Sequence, residues 1–158
     1  MNDIILNRLR ECEINNKKMA LDVIRFVYNA SVLARSKGIL ELEAISDVIN
    51  DDFVETVIEL VVDGNDMDLV EEIVTNLILT SKLNDHNFIR KILVAKGLCM
   101  VAKDFNPRLI VIYLSSLLGL ELSSEIVKNY DELFVNTEFN FKNFNTEGVI
   151  YKTGIYRS

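Results

Sequence analysis

The chain has 158 residues, 17 of them Lys or Arg and 24 Asp or Glu, giving a formal charge of −7 at neutral pH. That length suits one domain with a full core. Apolar residues at 49% exclude a disordered acidic tail, and a single proline with six glycines excludes collagen-like or low-complexity architecture. The acidic balance leaves no excess of cations for a nucleic-acid backbone, so no nucleic-acid partner is expected.

Apolar residues recur at helical spacing along most of the chain. Over residues 17–36, Ala20, Val23, Ile24, Val27, Ala30 and Ala34 share one face, and Leu21, Phe26, Tyr28, Val32 and Leu33 fill much of the rest. A helix apolar this far round is expected to be central. Gly38 stops it, as a glycine just past a helix end does. A shorter helix is predicted from Ile39 to about Asn50, with Leu42, Ile45 and Ile49 inward. Asp51 and Asp52 then suit the N-terminus of a helix through Val62. Asp63-Gly64-Asn65-Asp66 reads as a turn, with Asp63 and Gly64 as turn residues. Asp66 caps a helix whose inward face is predicted as Leu69, Val70, Ile73, Val74 and Leu77.

Asn84 and Asp85 open a helix through Phe88, Ile89, Ile92, Leu93, Lys96 and Cys99 to about Lys103. Asn106-Pro107 is a strong start signal, with Asn at the cap and Pro at the first helical position. The uncharged run from Leu109 to Leu120 is shorter than the roughly 20 residues of a membrane span, so it is predicted to be a buried helix. Ser123 or Ser124 is expected to cap the last helix, which runs to Leu133. After Asn136 the composition turns aromatic and polar, with Phe139, Phe141, Phe144, Tyr151 and Tyr156. Residues 138–156 read as a β-hairpin or extended arm, with Asn145-Thr146-Glu147-Gly148 as the loop.

The expected fold class is therefore mainly α. It is a single compact domain of about seven helices over residues 1–135, with an aromatic C-terminal arm over 136–158. Val27, Ala30, Leu42, Ile58, Leu60, Leu77, Ile92, Val111 and Leu114 are its predicted core. Ala34-Arg35-Ser36-Lys37-Gly38 and Val94-Ala95-Lys96-Gly97 echo each other faintly as lysine–glycine helix ends, too few copies for a solenoid.

No constellation looks catalytic. Cys12 and Cys99 are too few and too far apart for a disulfide framework and read as reduced, buried thiols. His86 is the only histidine, placed in a first helical turn, so a two-histidine metal site is impossible. No metal and no cofactor is expected. The acid pairs Asp51-Asp52, Glu71-Glu72 and Asp131-Glu132 fall where helix starts or solvated faces are expected. The N-terminal stretch MNDIILNRLRECE has no apolar run of signal-peptide length, and a cytoplasmic location is expected. The mean hydropathy of +0.19 is high for an acidic chain and suggests a partner or self-association surface.

The most informative stretch is residues 34–74. Ala34-Arg35-Ser36-Lys37-Gly38-Ile39-Leu40-Glu41-Leu42-Glu43 is followed by the acidic-to-aromatic junction Asp52-Phe53. Next come Leu60-Val61-Val62-Asp63-Gly64 and a helix from Leu69 to Val74. In order and spacing these four pieces resemble the cytoplasmic segment of the flagellar stator A subunit (MotA) family, within the MotA/TolQ/ExbB group. Phe105-Asn106-Pro107 and the apolar run after it resemble, more weakly, the start of that family's third membrane helix. No membrane helices precede the matched stretch, and the arm after Asn136 has no counterpart in the family.

The resemblance implies a non-enzymatic interaction module, a stator-like cytoplasmic region without the channel. It places the family's rotor-contacting charges on Arg35 and Glu43. Arg35, Lys37, Glu41 and Glu43 around Gly38 are thus the predicted partner-binding residues, for a protein partner of the flagellar switch type. The competing reading is an all-helical adaptor that self-associates into a homo-oligomer.

Overall fold

A computed structural model describes residues 2–147, and the body is mainly helical. Among the described residues there are nine α-helices: α1 (Asp3–Glu11), α2 (Ile14–Lys18), α3 (Leu21–Lys37), α4 (Leu42–Val48), α5 (Asp52–Val62), α6 (Met67–Leu79), α7 (Asp85–Ala102), α8 (Pro107–Ser116) and α9 (Leu120–Lys128). The two beyond the expected seven are α1 and α2, both at the N-terminus. Asp51, Asp66, Asn84 and Asn106 each cap the following helix, accepting from the backbone N–H of Val54, Asp68, Asn87 and Arg108. Pro107 stands in the first turn of α8.

The body is built on two long helices, α3 and α7. Near their starts they are tied by Arg90 of α7, which bonds Asp22 of α3. Further along they pack tightly at Gly97. A Cβ there would lie 2.6 Å from both methyls of the fully buried Val27. Gly97 therefore serves close helix packing in mid-helix, and is not the helix end suggested by its echo of Gly38. α5, α6 and α8 flank α7, and α8 also packs on α3. Of the predicted core, Val27, Ala30, Leu42, Ile58, Ile92, Val111 and Leu114 are buried.

Two core assignments are corrected. Leu60 is only half-buried, and Leu77 is 45% exposed. On α6 the buried residues are Val70, Val74 and Ile78, whereas Leu69, Ile73 and Leu77 are exposed. Both sets recur every four residues, and α7 covers the first.

Ser123 and Ser124 do not cap α9. Gly119, at φ +97°, starts it, and Ser123 lies inside, its hydroxyl 3.1 Å from that of Ser115. After α9 a five-residue π-helical segment, Asp131–Val135, buries Phe134.

The described part of the arm is not a hairpin strand. It makes a single 3-10 turn, Phe141–Asn143, and Phe144 stacks on Phe26 of α3 with centroids 4.4 Å apart. Phe139 and Phe141 meet the same ring from other sides. The aromatic alternation thus surrounds Phe26, which is fully buried. The remainder of the expected hairpin, from Gly148 on, lies outside the described residues.

Candidate docking surface

The four predicted partner-binding residues stand around one break in the helical path. Arg35 and Lys37 occupy the last turn of α3, and Gly38 breaks it with φ +100°. Glu41 ends a 3-10 turn, Ile39–Glu41, and Glu43 lies in the first turn of α4. Cations at a helix C-terminus and anions at an N-terminus are each favoured by the helix dipole. Arg35, Lys37 and Glu43 are exposed, and Glu41 is half-buried. Between them Leu40 is 64% exposed. The Arg35 guanidinium is not alone: its Nε lies 3.8 Å from Asp104 Oδ1, in the α7–α8 connection. Asp104 has φ +59°, left-handed for a residue with a side chain. The turn residues are geometrically plain, with Asp63 closing α5 and Gly64 at φ +75°.

A second polar cluster was not legible in the sequence. Arg90 is 1% exposed, in the first half of α7. Its Nε donates to the Thr146 carbonyl, Nη1 to the Met19 carbonyl and Asp22 Oδ1, and Nη2 to Asp22 Oδ2 and the Asn145 carbonyl. All five guanidinium donors are used. Asp51, also buried, accepts the Thr146 N–H and hydroxyl on one oxygen and the Val54 N–H on the other. Lys91 donates to the same Thr146 hydroxyl oxygen. This cluster clamps residues 145–146 onto the helices. Its charges are engaged in structure, so the cleft of about 470 Å3 that Asp51 helps line beside it offers no free base from that residue. The only hint was an arginine within the apolar arc of α7; its backbone partners lie 55 to 71 residues away and leave no pattern.

The remaining reactive groups are quiet. Burial pushes the Cys99 thiol up to about 11, with the Glu71 carboxylate adding to it, and burial raises Cys12 as well. Neither thiolate is populated at neutral pH, as nucleophilic attack requires. Burial lowers the pKa of His86 below 6.5, against an opposing hydrogen bond from its Nε2 to the Glu147 carbonyl at 3.2 Å. Among the described residues no group of three or more His, Cys, Asp or Glu is gathered as a metal would need, and no helix is long and apolar enough to cross a membrane.

No family model matches the chain, and no curated protein or solved structure matches it either.

Proposed function

We propose that this chain is a non-enzymatic, cytoplasmic interaction module that docks a protein through the corner between α3 and α4. The observation that carries the reading is Leu40, 64% exposed on the turn that Lys37, Glu41 and Glu43 frame. An exposed apolar anchor inside a rim of mixed charge is the arrangement of a small interface centre. The likeness of residues 34–74 to the stator A segment supports a rotor-switch type of partner. Opposite charges at such a rim set orientation and encounter rate more than affinity. Binding therefore weakens as salt rises, since exposed charges are screened over about 8 Å at physiological ionic strength.

The test is side-by-side affinity and melting of Arg35→Glu, Glu43→Lys and Leu40→Ala against a flagellar switch protein. The reading expects weaker binding in all three with melting nearly unchanged. The Arg35–Asp104 pair is largely exposed, and pairs of that kind contribute about 0–1 kcal/mol. Wild-type affinity in all three variants would overturn the corner as a docking site.

A second reading, an adaptor that assembles with its own copies, is favoured by the exposed stripe Leu69, Ile73 and Leu77 on α6. Sedimentation separates the two. The first reading expects a monomer in the absence of a partner. The second expects a stable oligomer that Ile73→Glu dissociates.

A further inference from the structure

Between α6 and α8, over the second half of α7, runs a cleft of about 330 Å3. Its walls are Met100 of α7, Phe105 of the connection, and Leu109 and Tyr113 of α8, with Glu71 of α6 opposite. In its lining sits Lys96, 8% exposed. The Lys96 ammonium lies 3.7 Å from Glu71 Oε1, beyond hydrogen-bond length, and no other acceptor among the described residues bonds it. The Lys96 side chain keeps 10% exposure, so the donors its Glu71 pair leaves over can reach water or an anion entering the cleft. Lys103 lines the same cleft, and its own pairing, to Asp68 at 3.9 Å, is to a carboxylate 89% exposed and screened by water. Within the cleft two ammonium groups thus face one carboxylate. Burial, with Glu71 second, raises the Tyr113 phenol, so that group stays a neutral donor.

We propose that this cleft binds a small amphiphilic carboxylate, its head on Lys96 and Lys103 and its apolar body against Met100, Phe105, Leu109 and Tyr113. The cleft is at the small end of ligand sites, which run to roughly 300–1,000 Å3 and combine apolar walls with a few placed polar groups. An anion supplies the acceptors that Lys96 lacks, and charge-assisted bonds of that type are the strong ones. Asp104, which pairs with Arg35, lies between the cleft residues Lys103 and Phe105, but the proposal uses none of the corner residues and does not depend on the docking reading.

Titration calorimetry of the full chain with sodium decanoate tests it, with 1-decanol as the uncharged control. The wild type binds decanoate at least tenfold more tightly than decanol, and decanoate raises the melting temperature. Lys96→Met loses that tenfold preference. Glu71→Gln, which removes the competing carboxylate, binds decanoate more tightly than wild type. Leu109→Asp, at a rim position 47% exposed, weakens both ligands without disturbing the core. No binding of decanoate to the wild type at millimolar concentration would overturn the proposal. So would equal affinity for decanoate in wild type and Leu109→Asp, or weaker decanoate binding in Glu71→Gln. Should Lys96→Met fail to fold, the Glu71 and Leu109 variants decide alone.

Discussion

At Gly97 the two long helices touch through a missing side chain. The Cβ of an alanine would press on both methyls of Val27, a branched residue that is fully buried and stiff about χ1. Gly97→Ala gains up to about 1 kcal/mol of helix propensity and loses about 1–3 kcal/mol to overpacking. Net destabilisation is expected in urea unfolding. Val27→Ala in the same chain should recover part of it, so that the two changes are non-additive. Arg90 is a harsher case. Arg90→Ala removes the donors of three backbone carbonyls and of the Asp22 carboxylate, which is 32% exposed and can rehydrate; a buried acceptor left unpaired costs about 1–3 kcal/mol, and the summed loss is readable in the same urea experiment. His86 adds a pH dependence. Its pKa is lowered in the folded chain, so the unfolded chain takes the proton first and stability falls as pH drops below 6.5. His86→Gln should flatten that part of the stability profile, read from melting between pH 7 and pH 5.

At the scale of elements, α6 shows what periodicity can and cannot choose. Leu69, Val70, Ile73, Val74, Leu77 and Ile78 make two adjacent apolar stripes, and either could face inward. α7 takes the stripe of Val70, Val74 and Ile78. Ile78→Ala is therefore expected to cost about 2–5 kcal/mol, whereas Leu77→Ala should cost under about 1 kcal/mol, because its side chain is already half in water. Comparable losses for the two would place both stripes in the core. Helix starts were far more legible, since a cap is a local hydrogen bond between residues two or three apart. Asp51, Asp66, Asn84 and Asn106 all act where their spacing from the first apolar turn placed them. Ser123 and Ser124 misled because a glycine with positive φ already starts α9 ahead of them. The grouping of Arg35, Lys37, Glu41 and Glu43 around Gly38 follows directly from their being neighbours in the chain. The Lys96–Glu71 cleft was not, because its walls come from three helices and its floor reads as ordinary core.

Across the whole molecule, the aromatic segment completes the body. Its rings cover Phe26, and its backbone satisfies Arg90 and Asp51. The alternation of Phe139 and Phe141 with polar residues suggested a strand, but three phenylalanines gathered on one buried ring give the same alternation without strand pairing. Phe144→Ala, which keeps the clamp and removes only the stacked ring, should cost about 3–5 kcal/mol in urea unfolding.

The clamp also sets a clock on synthesis. Thr146 follows Arg90 by 56 positions and Asp51 by 95. At about 5–20 residues per second, a ribosome delivers it some seconds after either of them. Throughout that interval the nascent helices carry a guanidinium that lacks its acceptors on Asn145 and Thr146 and a carboxylate that lacks both Thr146 donors. The helical body can collapse early, but its final locking step waits for residues 144–147 to leave the exit tunnel. Slowing translation between codons 136 and 146 therefore lengthens exposure of an intermediate that lacks only the clamp, and pulse proteolysis of stalled chains should find it cut readily until Thr146 is free.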